Sequence, residues 1–347
     1  MALPPLDVPA SWDRHPLLAR LESLYDVHLI PDLKAPDSPE RWVEERQAER
    51  GAQILGEGGL VAFVTETVYG LGAAAANARA VEKLFRVKGR PAWHPLIVHL
   101  PNTEALDAWA SDVPADARRL ADRFWPGPLT LVVRKQPHVL EAVTGGQPTV
   151  ALRVPSHPLA RRLLEAFGGG VAAPSANRFG RVSPTTADHV RQDLGSDVDA
   201  VLDGGPCPIG VESTIADATS GRIRILRQGG LPQEALEEAL GYSVDEVPTP
   251  EIRVSGQLES HYAPRAEVML ADPAEAPQRA EALYRAGRRV ILLSPGDVAP
   301  DRVYDSLRKG DASGVDVIVA PLPPDVGLGR AVRDRLRKAA APRPARE

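Results

Sequence analysis

The chain has 347 residues, 43% of them hydrophobic and 25% charged, and its formal net charge is −5 at pH 7. This length is enough for two buried cores, and the negative balance argues against binding nucleic acid through a global basic field. The single cysteine, Cys207, excludes an internal disulfide. The sequence has neither a signal-peptide pattern nor an apolar run of membrane-spanning length, which predicts a cytoplasmic protein without membrane contact.

Residues 1–38 carry many prolines and acids around an amphipathic piece at 15–25, and we predict that they form an N-terminal extension. Ser38-Pro39-Glu40 indicates the start of a helix, and Gly58-Gly59 indicates its end. Strands and helices then alternate, a pattern typical of a large twisted mixed sheet covered by helices. The predicted strands are 60–64, 96–100, 129–134, 149–154, 170–173, 198–202, 212–217 and 223–227, and the predicted helices are 77–87, 115–124, 157–167, 185–194 and 232–240.

The chain after residue 242 changes character. Residues 243–264 contain prolines and show no sustained hydrophobic period, so we predict a linker. Beyond it, three apolar runs (V-M-L-A, R-V-I-L-L-S and V-D-V-I-V-A) alternate with helical segments. This repeat predicts a smaller three-layer, Rossmann-like α/β domain over residues 265–347, and the larger α/β domain before the linker would span 39–242.

The stretch from Thr65 to His99 carries the strongest functional signal. T-E-T-V-Y-G-L-G follows the first predicted strand as a polar, glycine-bearing loop, and a short helix leads to Lys88-Gly89-Arg90-Pro91 and a second strand. Two cations one residue apart on a loop stiffened by glycine and proline suit the binding of phosphates. A K-x-R pair alone is a weak signal, but its position between these two motifs makes it a strong one.

Other familiar active-site motifs are absent from the sequence. Gly70–Ala75 matches G-x-G-x-x-A, but five residues separate it from the strand and the next strand ends in His99 rather than an acid, so we reject a dehydrogenase. There is no P-loop, no zinc-binding spacing and no G-x-S-x-G elbow. The hydroxyls, amides, histidines and cations that remain suit a reaction that depends on positioning and charge neutralisation.

Further motifs follow in a fixed order. With the Thr65–His99 stretch they resemble the YrdC-like superfamily, and specifically the longer threonylcarbamoyl-AMP synthases, over about residues 51–340. The resemblance implies a YrdC-like catalytic domain at 39–242. The motifs are P-G-P-L-T-L-V (126–132), V-A-L-R-V-P (150–155), A-P-S-A-N (173–177), S-P-T-T (183–186), V-E-S-T-I (211–215), R-Q-G-G (227–230) and H-Y-A-P (261–264).

The resemblance implies a nucleotidyltransferase that joins L-threonine, bicarbonate and ATP into threonylcarbamoyl-AMP and pyrophosphate. The threonine amine would capture bicarbonate as a carbamate, whose oxygen then attacks the α-phosphorus of ATP, with Mg²⁺ neutralising part of the triphosphate charge. The product would serve a separate tRNA-modifying transferase complex, and direct contact of this chain with RNA would be weak.

Individual residues take roles from the same resemblance. Arg153 also has an argument of its own, because an arginine within an apolar strand is costly unless it is paired, and a carboxylate ligand accounts for it. Structural interpretations stay open for Lys88 as a helix-capping cation, His99 as a core histidine and Tyr262 as linker packing. The implied catalytic residues are Lys88, Arg90, Ser175 and Asn177; the threonine contacts are Thr67, His99, Arg153, Ala173 and Ser213; and the ATP contacts are Arg90, His94, Thr149, Ser175, Ser183, Arg227 and Tyr262.

Some positions depart from the family's usual motifs: Val64, Ala74, Trp93-His94, Gln228 and Ser255-Gly256-Gln257. None of these changes removes a charged or anchoring group, so the sequence predicts an active enzyme.

Two alternatives remain. One is a carbamoyl-transfer enzyme of the same fold, although the acylphosphatase, zinc-finger or kinase-like modules typical of such proteins are absent from the sequence. The other is an RNA-binding YrdC-like module, which the net acidity disfavours.

Overall fold

The computed structural model describes residues 3–246, 252–257 and 261–342. Its strands form a small parallel pair near the N-terminus, a large central sheet, and a three-stranded parallel sheet near the C-terminus. The strands are β1 (Pro5–Pro9), β2 (Asp26–Ile30), β3 (Val61–Phe63), β4 (Gly70–Ala74), β5 (Ile97–His99), β6 (Ala110–Asp112), β7 (Leu129–Lys135), β8 (Thr149–Arg153), β9 (Val171–Ala172), β10 (Ala200–Leu202), β11 (Thr214–Asp217), β12 (Arg224–Arg227), β13 (Glu267–Ala271), β14 (Val290–Leu292) and β15 (Val317–Pro321).

Helices connect these strands and bury one apolar face each, as the periodicity of their sequences requires. Within the described ranges, none of them combines the length and the apolar character needed to cross a lipid bilayer. The α-helices are α1 (Ala19–Glu22), α2 (Pro39–Gly56), α3 (Ala78–Lys88), α4 (Leu106–Trp109), α5 (Ala115–Phe124), α6 (Glu141–Thr144), α7 (Pro158–Phe167), α8 (Ala187–Leu194), α9 (Gln233–Leu240), α10 (Ala276–Arg285), α11 (Val303–Ala312) and α12 (Leu328–Ala340).

The central sheet is mixed and confirms the predicted fold class. Its strand order is β10-β3-β4-β9-β5-β8-β7-β11-β12, with β6 paired to β7. Parallel pairs such as β5–β8 and β7–β11 alternate with antiparallel pairs such as β3–β4 and β7–β8. The predicted strands and helices of this unit are all observed, with ends that differ by no more than two residues, because long apolar runs with clear turn signals specify these elements.

Two strands of the sheet were missing from the prediction, namely β4 and the three-residue strand β6. We expected the whole T-E-T-V-Y-G-L-G stretch to be a loop, but β4 begins at Gly70 and lies between β3 and β9. Its sequence, G-L-G-A-A, is poor in the β-branched residues that favour strands. Its neighbours require small residues, since a Cβ at Gly72 would come within 2.8 Å of Val171 Cγ1.

The N-terminal extension is folded against the catalytic unit. Strands β1 and β2 pair in parallel, and the predicted amphipathic helix at 15–25 is shorter than expected, with α-helical residues only in α1. Val8, Trp12 and Leu21 form a separate apolar cluster with Val43 of α2. The extension therefore packs on the outer side of α2 and contributes no residue to the cavity described below.

The C-terminal sheet has the predicted three-layer arrangement. Strand β15 lies between β13 and β14, and α10 covers one face through Ala276. Helices α11 and α12 cover the other face, where Leu307 and Leu336 pack in one cluster with Ile318. Parts of two predicted segments lie outside the described residues: 247–251 and 258–260 of the linker, and 343–347 of the C-terminal domain.

Candidate active site

A small cavity lies at the C-terminal ends of β5 and β8, two neighbouring strands in the interior of the central sheet. The two strands pair in parallel with His99 directly opposite Arg153, so both side chains reach the cavity together. The linker contributes Ser255 and His261 to the cavity lining, and the cavity is partly open to solvent. The predicted site residues that line it are Thr67, His99, Arg153, Ala173, Ser175, Ser213, Arg227 and Tyr262.

Arg153 is held in one orientation by three groups. Its Nε donates to Gly127 O at 3.2 Å and its Nη1 donates to Thr67 Oγ1 at 2.9 Å. Its Nη2 lies 2.8 Å from Glu66 Oε1, and both side chains of this ion pair are almost completely buried. The plane of the guanidinium is thereby fixed, as binding a planar carboxylate requires.

The T-E-T motif forms a hydroxyl-stabilised turn. Thr65 Oγ1 accepts the backbone N–H groups of Thr67 and Val68 at 3.2 Å each, and it donates to Val68 O at 2.7 Å. Thr67 Oγ1 donates to Thr65 Oγ1 at 2.8 Å, which leaves its lone pairs toward Arg153. Hydroxyls at both positions are needed for this arrangement, since that of Thr65 bonds the backbone of the turn and that of Thr67 bonds Thr65 and Arg153.

The position of Lys88 corrects one of our expectations. We expected Lys88 and Arg90 to be exposed loop cations, but both are buried and Lys88 is the last residue of α3. It continues the buried face of Leu84, and its Nζ donates to Ser175 O and Asn177 O at 2.5 Å each. Burial, followed by repulsion from Arg90, holds the pKa of Lys88 well below its usual value.

Arg90 and Arg227 meet at the linker. Arg90 Nη2 donates to Pro95 O at 3.0 Å and to Ser255 Oγ at 3.4 Å. Arg227 Nη1 donates to Ser255 O at 2.9 Å, and its Nη2 donates to Ser213 O at 2.7 Å. Burial lowers the pKa of Arg90 to about 10, still well above neutrality. Two buried cations thus converge on the oxygens of one linker residue.

Tyr262 fills the space beside this pair of arginines. Its backbone has φ of 59°, a left-handed conformation that is uncommon for a residue with a bulky side chain. Its ring packs edge-on against His261, with centroids 4.1 Å apart, and stacks on Tyr304 at 5.7 Å. Burial, followed by the charge of Glu212, raises the pKa of Tyr262 to about 12, so its hydroxyl stays protonated.

The remaining predicted residues lie around the cavity rather than in its lining. Asn177 donates to Arg178 O at 2.7 Å and to Arg181 O at 2.9 Å, which shapes the loop that Lys88 bonds. Ser183 donates to Glu212 Oε1 at 2.6 Å. Four others complete the set. Lys88 and Arg90 reach lining residues through the bonds above, Thr149 lines a smaller adjoining cavity, and His94 stacks on Trp93 at 4.1 Å.

Comparison with known proteins agrees with this geometry. The family described as "Telomere recombination" matches residues 53–229, and "Threonylcarbamoyl-AMP synthase, C-terminal domain" matches residues 231–341. The threonylcarbamoyl-AMP synthase of Pyrococcus abyssi is 42% identical over 86% of this chain and 95% of its own length. The Bacillus subtilis threonylcarbamoyl-AMP synthase is 40% identical over 86% and 94%. The chain belongs to the threonylcarbamoyl-AMP synthase family.

Solved structures of this family match most of the fold. The crystal structure of Pyrococcus abyssi Sua5 in complex with L-threonine has a TM-score of 0.80 and 40% identity, covering 85% of this chain and 94% of that one. A Sua5 variant from the same organism, with a histidine and a tyrosine replaced by alanine, has a TM-score of 0.79, 37% identity and coverage of 88% and 94%. The predicted family and fold are therefore confirmed.

The structure adds carboxylates and an aromatic ring that the sequence analysis did not select. Glu66 pairs with Arg153, and Glu212 lines the cavity near Arg227. The Phe179 ring lies 5.8 Å from the guanidinium of Arg90. The motifs contain both glutamates, whereas Phe179 lies between A-P-S-A-N and S-P-T-T. A buried acid beside an expected arginine is the signal that could have selected the two glutamates.

The histidines around the cavity are neutral at ordinary pH. Burial, followed by repulsion from Arg153, lowers the pKa of His99 to about 3. Burial also lowers the pKa of His261 to about 3, and burial with repulsion from Arg90 lowers the pKa of His94 to about 4. These histidines therefore add no positive charge to the site, and they can serve as neutral hydrogen-bonding groups.

Proposed function

We propose that this chain is a threonylcarbamoyl-AMP synthase, an enzyme that forms threonylcarbamoyl-AMP and pyrophosphate from L-threonine, bicarbonate and ATP. The observation that supports this best is a cavity lined by two buried arginines, Arg153 and Arg227, with a third, Arg90, bonded to the same linker residue as Arg227. We name the Arg153 side the threonine end and the side of Arg90 and Arg227 the nucleotide end. A single carboxylate and a triphosphate are anions that such a division of charge would suit. The Pyrococcus abyssi relative was solved in complex with L-threonine.

At the threonine end, Arg153 would bind the carboxylate of the amino acid. Its contacts with Gly127 and Thr67 fix the guanidinium before the ligand arrives, which reduces the ordering cost of binding. His99 lines the same cavity and lies opposite Arg153 on the paired strand. Because His99 is neutral, it adds no competing cation beside Arg153.

At the nucleotide end, Arg90 and Arg227 would bind phosphate oxygens. In this structure both donate to oxygens of Ser255, which satisfy the arginines as phosphate oxygens would. Lys88 fixes the backbone of Ser175 through its own hydrogen bond and adds charge nearby. The carbamate oxygen would displace pyrophosphate from the α-phosphorus, and these cations would stabilise the charge that develops on the leaving group.

Mg²⁺ fits this proposal as an ion that arrives with ATP. Across residues 3–246, 252–257 and 261–342, no three His, Cys, Asp or Glu side chains converge to hold a metal. The nearest acids, Glu66 and Glu212, each face an arginine. Phosphate oxygens and water would therefore supply most Mg²⁺ ligands, as is usual for nucleotide-bound Mg²⁺. When bound, the ion would neutralise part of the triphosphate charge.

The linker would act as a lid. Ser255 occupies the hydrogen-bond donors of Arg90 and Arg227 that would bind phosphate, and Tyr262 lines the same cavity, so the linker as it lies here blocks the proposed phosphate site. Entry of ATP would displace these residues, and their return would exclude water from a product that water destroys. The reactive carbamate would gain the same protection.

The wider role follows from the product. Threonylcarbamoyl-AMP is an activated acyl donor, so the proposal includes a separate transferase complex that passes the threonylcarbamoyl group to tRNA. Contact of this chain with RNA would be weak, because its formal net charge of −5 offers no broad basic surface. A cytoplasmic location, where ATP, tRNA and threonine are all available, belongs to the same proposal.

A pyrophosphate-release assay tests the function. Wild-type protein with ATP, Mg²⁺ and bicarbonate should release pyrophosphate only when L-threonine is present, and mass spectrometry should detect threonylcarbamoyl-AMP. Replacement of threonine by carbamoyl phosphate tests the carbamoyl-transfer alternative of the same fold. Pyrophosphate release that does not require threonine, or that requires carbamoyl phosphate, would contradict the proposal.

A further inference from the structure

A buried carboxylate connects the nucleotide end of the cavity to the C-terminal sheet. Glu212 is only 6% exposed and accepts hydrogen bonds from three side chains. Ser183 Oγ donates at 2.6 Å, Tyr304 Oη at 2.8 and 3.0 Å, and Arg335 Nε at 2.7 Å. Tyr304 lies on α11 and Arg335 on α12, so a single carboxylate joins the central sheet to two helices of the C-terminal unit.

Arg335 is the centre of this connection. Its side chain is fully buried, and besides Glu212 its guanidinium donates to Gln228 O at 3.0 Å. The same guanidinium lies 5.1 Å from the ring centroid of Tyr262, a distance typical of a cation–π contact. Arg335 therefore contacts the linker and two separate loops of the central sheet at once.

The groups that Arg335 touches are immediate neighbours of cavity residues. Glu212 directly precedes Ser213, and Gln228 directly follows Arg227. Arg227 Nη2 in turn donates to Ser213 O at 2.7 Å, so the two loops are bonded to each other as well as to Arg335. A shift of the guanidinium would therefore move the backbone on both sides of the nucleotide end.

Given the proposed function, we propose that Arg335 is a positioning residue for the reaction: from the C-terminal unit, it sets the geometry of Arg227 and Tyr262 over the bound nucleotide. The C-terminal unit would then complete the active site rather than serve as an appended domain. Arg335 itself touches no cavity lining directly except Tyr262 and Glu212.

Stability alone does not account for this ion pair. Burying two charges is expensive, and apolar residues of similar volume are often as stabilising as a buried pair. The attraction of Arg335 and of Arg227 outweighs burial and lowers the pKa of Glu212 to about 2, so the carboxylate is ionised. Its fixed charge and the forked guanidinium provide directional contacts that apolar packing would not, which is what precise placement of two loops requires.

The same helix offers a matched control. Arg330 lies on α12 and forms an ion pair with Glu234 of α9 at 2.9 Å, across the same junction between the two units. Neither residue lines the cavity, and the Arg330 side chain is 28% exposed. Arg330→Ala therefore removes a contact between the units without disturbing the loops that Arg335 holds.

The experiment measures steady-state pyrophosphate release while ATP and threonine are varied separately. Arg335→Met should lower kcat/KM for ATP by at least about tenfold and change KM for threonine by less than about threefold, because the network lies behind the nucleotide end. Arg330→Ala should stay within about twofold of wild type for both substrates. Equal losses in these two variants would mean that Arg335 only docks the units, and would overturn the proposal.

A double variant separates stability from positioning. Arg335→Met leaves Glu212 buried without its cation and should lower the melting temperature. The double variant, Arg335→Met with Glu212→Gln, removes the unpaired charge and should recover most of the lost melting temperature. If Arg335 positions the site, kcat/KM for ATP stays low in the double variant. Recovery of activity together with stability would overturn the proposal.

Tyr304→Phe removes one hydroxyl from the network and should give a smaller loss of kcat/KM for ATP. This variant replaces Arg335→Met in the experiment if Arg335→Met does not fold.

The wild-type protein separates this inference from the proposed function. If wild type releases no threonine-dependent pyrophosphate, the proposed function is wrong. The positioning role is then decided by calorimetric binding of a non-hydrolysable ATP analogue, for which Arg335→Met should bind at least about tenfold more weakly than wild type and Arg330→Ala should bind equally. Equal affinities in all three proteins would overturn the role of Arg335.

Discussion

The two ends of the cavity are built from different kinds of structure. At the threonine end, His99 and Arg153 lie opposite each other on paired strands inside the central sheet. At the nucleotide end, Arg90 follows a helix, Arg227 ends an outer strand, and Tyr262 belongs to the linker. The first end is fixed by the ladder of one sheet, whereas the second is assembled from segments distant in sequence.

This difference fits the ligand that we propose for each end. A small amino acid is bound well by a rigid, preorganised group, since little ordering is then needed. A triphosphate is large and must enter past the linker, so the groups that bind it have to separate and return. We therefore expect changes at the threonine end to alter affinity for one substrate, and changes at the nucleotide end to alter closure and turnover.

The largest effect is expected from Arg153→Lys. An ammonium cannot reproduce the two parallel bonds of a guanidinium, so KM for threonine should rise on the order of 100-fold while KM for ATP stays within about twofold. The substitution keeps a cation beside the buried Glu66. Titration of each substrate measures the two constants, and Arg134→Lys, at an exposed site on β7, is the control. Equal changes in both KM values would contradict a rigid threonine end.

Lys88→Met tests the nucleotide end. We expect kcat/KM for ATP to fall by about 30- to 100-fold, because a cation near the phosphates and the brace of Ser175 are both lost. Two buried carbonyls lose their donor, so the free energy of unfolding should fall by about 1–3 kcal/mol. Urea unfolding measures that cost.

The control for this experiment is Lys83→Met, which removes a partly exposed cation from the same helix. It should change both stability and kinetics little, since exposed ion pairs contribute about 0–1 kcal/mol. If Lys88→Met lost stability without losing ATP use, Lys88 would be a structural residue that holds the A-P-S-A-N loop (173–177).

The sequence analysis predicted the sheet and the need to pair Arg153 better than it predicted the surroundings of Lys88. Apolar runs and turn signals located the strands, and an arginine within the apolar β8 was already conspicuous. The burial of Lys88 was missed because a cation next to Gly89 and Pro91 resembles a surface loop. Arg335 was missed because its partner, Glu212, is 123 residues away, and local patterns do not show which distant groups meet.

Tyr262→Ala should have a smaller effect than Lys88→Met and should concern closure. We expect turnover to fall by about tenfold and free AMP to appear, because the linker loses its packing against His261 and Tyr304. Limited proteolysis between residues 244 and 260 measures linker opening directly. In the wild type, ATP should raise the cleavage rate, since ATP and Ser255 compete for the same arginines.

Tyr284→Ala, at an exposed tyrosine on α10, is the control for this substitution. It should leave both turnover and cleavage unchanged. If ATP did not alter cleavage of the wild type and Tyr262→Ala kept wild-type kinetics, the linker would be a tether and the nucleotide end would be as rigid as the threonine end.

The last prediction concerns protonation, which should act on stability rather than on turnover and should distinguish the two ends in that way. The pKa of His99 and of His261 is about 3 in the folded chain against 6.5 for a free histidine. Between these values the unfolded chain binds more protons, so stability is unaffected above about pH 6.5 and falls below it, by up to about 1.4 kcal/mol per pH unit for each histidine.

His99 lies in the central sheet and should affect global unfolding, whereas His261 lies in the linker and should affect its opening. His99→Gln should therefore flatten the pH dependence of urea unfolding between pH 6 and pH 4, and His261→Gln should flatten that of linker cleavage. If both variants flattened the same transition, the linker and the sheet would unfold as one unit, and the contrast between a rigid and a closing end would be lost.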